Sequence, residues 1–442
     1  MPAVATASSL EEKIRSRTAV VGVIGLGYVG LPLVAGFARA GFPVVGFDTD
    51  SAKVSSLAAN RSYIAHFPDS ILEELHRDRR FLATSEFSRL GEADAILVCV
   101  PTPLTPHREP DLSYIESTAR QIALAARPGQ LVVLESTTYP GTTEEILLPA
   151  LESAGLVIDR DFYLAFSPER EDPNNPDFTL ENIPKVVGGV TPRSGELAAM
   201  LYGSVVRKVV SVASARVAEA TKLVENIFRS VNIALVNELK ICFDKMGIDV
   251  WDVLDAASTK PFGFMRFDPG PGWGGHCIPV DPFYLTWKAR EHGVSTRFIE
   301  LAGEINTRMP EWVVGKLADA LNERSRSLKG SKVLILGVAY KRNIDDVRES
   351  PALEIIELLL AKGSEVLYHD PHVPKLHKMR RHDLSLESVE LDEEVLSRCD
   401  AVVIVTDHEA VDYPLVFSRA ALLIDTRNVA GRKNLQGPVV RA

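Results

Sequence analysis

The chain is short of cysteine, of net positive charge and of long apolar runs, and each shortage removes a class of protein. Its four cysteines, Cys99, Cys242, Cys277 and Cys399, are widely spaced and form no Cys-x-x-Cys pair. Neither a disulfide scaffold nor a cysteine-based zinc site is therefore expected, and no metal is predicted. No run reaches the ~18 apolar residues of a membrane-crossing helix. The N-terminus, with Glu11, Glu12, Lys13 and Arg15, lacks the apolar core of a secretion signal, so a cytoplasmic protein with no membrane partner is expected. A net charge of −10 and a pI near 5.6 argue against a nucleic-acid partner, since domains that bind nucleic acid are usually basic. An anionic ligand would need a local group of Lys and Arg working against that field.

What is present is ordinary for a globular protein, 46% hydrophobic and 24% charged residues over 442 positions, a length that suggests about three domains. After a polar lead, Thr18 to Gly25 is a short apolar run of the kind found in a parallel sheet. It enters Gly25-Leu26-Gly27-Tyr28-Val29-Gly30 and then a helical-looking stretch from Leu31 to Ala40. Three glycines in that spacing allow a tight turn, close approach of backbone to a pyrophosphate, and close packing of helix on strand, with the helix N-terminus facing the phosphates. A second strand ends at Asp48, eighteen residues past Gly30. A carboxylate there suits a ribose 2′-hydroxyl and repels a 2′-phosphate, which favours NAD over NADP, although Lys53 keeps the second open. Thr102, Ser136 and Thr137 follow later strands, where either ligand contact or turn and cap duty fits.

Ser167-Pro168-Glu169-Arg170 reads as a charged loop at a strand end. From Ala213 to about Met246 no Gly or Pro interrupts a helical pattern, and so long a helix suits a domain connector or a dimer face. Lys222, Asn226 and Arg229 share one side of it, as a solvated stripe or as a buried polar group. Arg266 lies in an aromatic, glycine-broken loop that leads into Gly272-Trp273-Gly274-Gly275-His276-Cys277-Ile278-Pro279-Val280-Asp281. The glycines and prolines present Cys277 at a bent loop, either as a reactive thiolate or as an inert buried thiol. Beyond Ser325–Lys332 the first third is echoed: Val333 to Gly337 mirrors Val21 to Gly25, and Gly363 to Asp370 repeats the spacing of Gly41 to Asp48. Gly337-Val-Ala-Tyr-Lys341 lacks the triple glycine and instead offers Lys341, Arg342 and Arg348 beside Asp345 and Asp346. Those cations suit a nucleotide diphosphate or a structural ion-pair network.

Taken in order, these motifs resemble the UDP-glucose/GDP-mannose dehydrogenase family from about Val20 to Val429. The resemblance rests on Gly25-x-Gly27-x-x-Gly30, Ser167-Pro168-Glu169, Lys222-x-x-x-Asn226, Gly274-Gly275-His276-Cys277-x-Pro279-x-Asp281, and Gly337-x-x-Tyr-Lys341 with Asp346-x-Arg348-x-Ser350. It implies two doubly wound (Rossmann-like) parallel-sheet α/β domains joined by a long central helix and a helical middle domain. The expected division is a polar lead 1–17, an NAD-binding domain 18–212, a central helical and dimerisation domain 213–325, and a UDP-sugar-binding domain 326–442. The implied reaction is a four-electron oxidation of a sugar C6 alcohol to the acid with two NAD⁺. Cys277 is then the nucleophile, and Lys222, Asn226, Asp281, Glu169 and Thr137 the other catalytic groups. Cofactor contacts are implied for Gly25, Gly27, Tyr28, Val29, Gly30, Asp48, Lys53, Thr102, Ser136 and Thr137. Sugar-nucleotide contacts are implied for Glu169, Arg170, Lys222, Asn226, Arg266, Gly274, Lys341 and Arg348, with Arg266 reaching a neighbouring subunit of a homodimer or higher oligomer. Within the family the motifs resemble the N-acetylhexosamine branch, with UDP-N-acetylglucosamine the favoured substrate and UDP-N-acetylmannosamine or UDP-glucose as alternatives. Asn174 stands where that branch usually has glycine. Two other readings differ in class: a dehydrogenase of small β-hydroxy acids, which needs neither Cys277 nor a third domain, and a non-catalytic nucleotide-sugar sensor, which would lack the nucleophile or base.

Overall fold

The computed structural model describes residues 10–64, 67–105, 109–170, 180–275, 278–379 and 382–442. His276, Cys277, Glu171 to Pro173 and Asn174 lie outside the described residues. The chain divides into two units, residues 1–225 with 287–294, and residues 226–286 with 295–442.

The first unit is built on eight strands: β1 (Val21–Ile24), β2 (Val44–Phe47), β3 (Phe81–Thr84), β4 (Ala95–Val98), β5 (Gln130–Leu134), β6 (Phe162–Phe166), β7 (Lys185–Gly189) and β8 (Val209–Ser211). Their order across the sheet is β3-β2-β1-β4-β5-β6-β7-β8. All neighbours run parallel except β6 and β7. Strands β1, β4, β5 and β6 are buried throughout, as a sheet covered on both faces requires. The period of two then sorts their side chains. Val21, Val23, Leu97, Val133 and Tyr163 join one core cluster, and Ile24, Ile96, Val132, Leu134 and Leu164 join another on the opposite face. Residues 10–15 of the polar lead are helical, and Leu10 and Ile14 are buried in the first of these clusters.

The second unit carries a five-stranded sheet of β9 (Lys332–Leu336), β10 (Glu365–His369), β11 (Ala401–Ile404), β12 (Leu423–Asp425) and β13 (Val439–Arg441). Its order is β10-β9-β11-β12-β13, parallel throughout. Both sheets therefore reverse direction of winding beside their first strand, between β1 and β4 and between β9 and β11. In such sheets ligands bind outside the carboxyl ends of the strands at that reversal. Along the chain from β8 to β9 the described regular elements are all helices. The expected long helix spans Ala215–Lys245 and stops before Gly247, whose φ of +70° suits a chain leaving a helix. A second long helix spans Arg297–Asn322.

Candidate active site

In the first unit the glycine loop lies at the reversal point, and each glycine is explained by what a Cβ would meet. Gly25 has φ +91°, and a Cβ on it would lie 2.4 Å from the Cys99 carbonyl oxygen, at the end of β4. A Cβ on Gly30 would lie 1.9 Å from the Gly25 oxygen, whereas one on Gly27 would meet no atom within 4 Å. Gly25 and Gly30 are thus required by packing of strand and helix, and Gly27 borders open space where a phosphate can approach the backbone. The helix that follows, α1 (Gly30–Arg39), has no side-chain cap at Val29, and of its first N–H groups that of Leu31 donates to Gly27 O at 3.1 Å, so the rest of the uncapped N-terminus faces an anion site. Asp48, nearly buried at the end of β2, accepts from the Leu26 N–H at 3.0 Å through one oxygen and from the Asp50 N–H at 2.9 Å through the other. Lys53 lies 3.7 Å from it. The Tyr63 hydroxyl donates to the Leu26 carbonyl, a contact with the loop that no sequence pattern announced. Thr102 is buried just past β4. Ser136 is also buried, and its hydroxyl donates to the Val100 carbonyl at 2.8 Å, which ties two strand ends together. Thr137 is half-buried beside it.

The Ser167-Pro168-Glu169 motif leaves the end of β6. Ser167 is fully buried and its hydroxyl donates to Val186 O at 2.8 Å, which clamps the motif to β7. The Lys222 ammonium, on the long helix α2 (Ala215–Lys245), donates to the Glu169 carbonyl. Arg170 reaches Glu225 of the same helix at 2.6 Å and Pro184 O at 2.6 Å. Beneath Glu169 lies a group that sequence reasoning missed. Lys185, the first residue of β7, is 2.6 Å from Glu135 and 3.6 Å from Glu169. The Tyr202 hydroxyl donates to the other Glu135 oxygen. Burial alone would lower Lys185, but Glu135 and Glu169 together hold its ammonium above the usual lysine range. The trace of this group in the sequence is a charge at one end of each of two apolar strands, Glu135 after β5 and Lys185 at the start of β7.

In the second unit Asn226 is fully buried, and its amide donates to Asp281 at 2.6 Å while its oxygen accepts from Arg229. Asp281, also buried, opens the helix α3 (Asp281–Glu291), where a carboxylate is favoured by the helix dipole. The glycine-rich loop before it packs on Tyr340: a Cβ on Gly274 or Gly275 would lie 2.8 Å from that side chain. The Gly275 N–H donates to Arg348 O at 3.2 Å. Gly274 and the loop after β9 are thereby brought together, and the tyrosine of Gly337-x-x-Tyr-Lys341 is explained as their packing partner. Gly337 repeats the geometry of Gly25, with φ +80° and a Cβ position 2.2 Å from Thr406 O. Asp370 repeats that of Asp48, accepting from the Val338 N–H at 2.7 Å.

Lys341 is half-buried in the loop after β9, and Arg348 is exposed and paired with Asp346 at 2.6 Å. Arg342 and Arg432 both donate to Asp407, beyond the end of β11. Burial would raise the Asp407 carboxyl, and the two arginines hold it below its usual range. Arg427, also absent from the sequence reading, is anchored through Nε to Val405 O at 2.8 Å. Arg342 also lies 3.8 Å from Glu409 and the Arg427 N–H donates to Asp425 at 3.0 Å, so arginines and carboxylates interleave along the carboxyl edge of this sheet. Arg266, by contrast, is exposed and engaged with Asp255 and Asp268.

The first sheet, with its glycine loop and the carboxylate at the end of β2, has the form of a dinucleotide-binding domain, and the second repeats its sheet reversal and its strand-end aspartate. The chain matches the NAD binding domain of the UDP-glucose/GDP-mannose dehydrogenase family over residues 19–206, its central domain over 216–308 and its UDP binding domain over 334–432. It belongs to that family. It is 38% identical to the UDP-N-acetyl-D-glucosamine 6-dehydrogenase of Pseudomonas aeruginosa over 83% of this chain and 86% of that one. It is 37% identical to the NDP-N-acetyl-D-galactosaminuronic acid dehydrogenase of Ralstonia solanacearum over 94% and 97%. Among solved structures, the UDP-D-ManNAc dehydrogenase of Pyrococcus horikoshii is similar with a TM-score of 0.85 at 34% identity, covering 92% of this chain and 95% of that one. The cofactor is NAD, and the geometry of Gly25, Gly27, Gly30 and Asp48 fits it. No described helix is long and apolar enough to cross a membrane.

Proposed function

We propose that the protein oxidises the C6 alcohol of a UDP-N-acetylhexosamine, with UDP-N-acetylglucosamine favoured, to the uronic acid through a covalent intermediate on Cys277. The product is an acidic sugar nucleotide for surface polysaccharide. Residues 18–212 bind NAD, 213–325 carry the reacting loop and 326–442 hold the UDP-sugar. The observation that carries this reading is the motif Gly274-Gly275-His276-Cys277-x-Pro279-x-Asp281 in a member of this family, with its Asp281 buried on Asn226.

When bound, NAD accepts the hydride removed at each oxidation. Gly25, Gly27, Gly30 and the N-terminus of α1 hold its phosphates and Asp48 its ribose, with Tyr28, Val29, Lys53, Thr102 and Ser136 around them. The Cys277 thiolate adds to the aldehyde formed first, a C–S bond forms, and the carbonyl oxygen takes up a proton to give a thiohemiacetal. Loss of that proton and of a second hydride leaves a thioester. Water then attacks the thioester carbon, the C–S bond breaks, and the thiolate leaves with the acid released. Lys222 and Asn226 hold the oxygen on which negative charge develops. Thr137 and Asp281 position water, and Glu169 takes its proton as general base. Arg170, Gly274, Lys341 and Arg348 hold the sugar nucleotide, and Arg266 serves the neighbouring subunit of a homodimer.

A dimer is supported by the apolar side chains that the second unit leaves exposed, among them Phe228, Leu235, Phe262, Met265, Phe298 and Leu301. The test of the function is a panel of UDP-sugars with NAD⁺, counting NADH per sugar consumed. Two NADH and an acid from the preferred N-acetylhexosamine support the reading, and one NADH per sugar refutes it. Preference for UDP-glucose or UDP-N-acetylmannosamine would move the substrate while leaving the chemistry. Cys277→Ser is expected to bind NAD⁺ and UDP-sugar normally and form no acid, and normal turnover by it would refute the covalent scheme.

A further inference from the structure

The buried charges beneath the Ser-Pro-Glu motif call for a reason, because taking an ammonium and a carboxylate out of water costs several kcal/mol per ion and need not be repaid in stability. Lys185 is 3% exposed and its side chain is wedged between two carboxylates, Glu135 at the end of β5 and Glu169 in the motif. Glu135 is 1% exposed, and Tyr202 on the helix Pro192–Tyr202 fills its second oxygen. The lysine ammonium also lies 5.2 Å from the Tyr202 ring centre. Its position is thus set from below, by groups that cannot reach solvent, and its remaining field falls on Glu169.

We propose that Lys185 is a positioning residue for Glu169: Glu135 and Tyr202 fix its ammonium, and the ammonium fixes the direction of the carboxylate that releases the acid. The proposal rests on the reading of Glu169 as the base for that release. It accounts for a motif held at three points: Ser167 Oγ on β7, the Glu169 carbonyl on Lys222, and the Glu169 carboxylate toward Lys185. Among the described residues, the ionisable groups at the lysine are Glu135, Glu169, Tyr202 and Cys99, while Glu169 accepts from the Arg170 backbone N–H at 2.6 Å through its carboxylate and from Lys222 through its carbonyl. Burial holds the Cys99 thiol and the Tyr202 phenol well above their usual ranges, so both stay neutral. Lys185 is therefore the cation that joins the buried carboxylate to the motif.

The experiment compares the wild type with Lys185→Gln, Lys185→Arg, Glu169→Gln and the double variant Glu135→Gln/Lys185→Gln, using UDP-N-acetylglucosamine and NAD⁺. Pre-steady-state NADH formation, kcat and kcat/KM for NAD⁺ are measured for each. For Lys185→Gln the expected result is a burst of NADH near twice the enzyme concentration, a steady rate lowered at least tenfold, and a kcat/KM for NAD⁺ within twofold of wild type. Lys185→Arg restores most of the rate. Should Lys185→Gln fail to fold because Glu135 is left unpaired, the double variant removes both charges and is expected to show the same burst and the same unchanged kcat/KM for NAD⁺. A burst in Glu169→Gln with no burst in the lysine variants, or a failure of Lys185→Arg to restore the rate, overturns the role of Lys185 alone. Normal turnover by Glu169→Gln overturns the reading of Glu169 and the role of Lys185 with it.

Discussion

Gly25 and Gly337 are the same device at the ends of two first strands, and substituting each with alanine separates the two nucleotide sites. At Gly25 an alanine must accept φ +91°, a backbone that costs an L-residue roughly 1–2 kcal/mol. Its Cβ would lie 2.4 Å from Cys99 O, about 1 Å inside ordinary contact, and overpacking of that kind costs about 1–3 kcal/mol. The sum is roughly 2–5 kcal/mol. The cheapest relief is to move the loop away from β4, which withdraws the backbone from the phosphate position. At about 1.4 kcal/mol per tenfold, even half of the smaller figure appearing in binding weakens NAD⁺ several-fold, and the middle of the range weakens it more than tenfold. Gly337→Ala meets the same strain at φ +80° and 2.2 Å from Thr406 O, in the domain matched to UDP binding. Calorimetric titration of each variant with NAD⁺ and with UDP is the assay. Gly25→Ala is expected to lose NAD⁺ affinity and keep UDP, and Gly337→Ala the reverse. Unchanged NAD⁺ affinity in Gly25→Ala, or equal weakening of both ligands by both variants, would refute the reasoning.

Asp48→Asn keeps an oxygen for the Leu26 N–H and loses the charge that repels a 2′-phosphate, so the NADP⁺ to NAD⁺ ratio of kcat/KM should rise about tenfold or more; an unchanged ratio would assign that discrimination elsewhere. Burial holds the Lys240 ammonium down to about 7, with Asp425 and Asp244 opposing the shift and Arg427 and Lys316 adding to it. An unfolded lysine keeps its proton to about pH 10.4, so above pH 7 the unfolded chain binds more protons and this group's penalty shrinks as pH rises. Melting curves at pH 7 and 9.5 should show Lys240→Met gaining most over the wild type at pH 7, and parallel behaviour at both values would count against the shift. Leu235→Glu places a charge on the exposed apolar face and should yield monomers by light scattering, whereas an intact dimer would place the interface elsewhere.

Much of the first half-site is readable in order along the chain, because a glycine loop and its ribose carboxylate belong to one strand-helix-strand unit. Gly25, Gly27, Gly30 and Asp48 lie within twenty-four residues, and local geometry brings them together without help from distant segments. The repeat of Gly41 to Asp48 in Gly363 to Asp370 is local for the same reason, and the structure gives both aspartates the same backbone partner. The long helix was bounded within two residues at its start and one at its end, since no Gly or Pro interrupts it before Gly247. The antiparallel pairing of β6 with β7 was not legible: strand periodicity reports faces and is silent on direction.

Local pattern therefore determined the fold class, the family and the dinucleotide loop, all of which depend on residues close in sequence. Tertiary structure alone decided which charges meet. Glu135 and Lys185 are fifty residues apart, and each looks like an ordinary charge at the end of an apolar strand until the sheet order places β5, β6 and β7 side by side. Asn226 and Asp281 likewise become partners only through packing. A polar residue's role depends on what removes water from it, and that is supplied by segments far away in the chain.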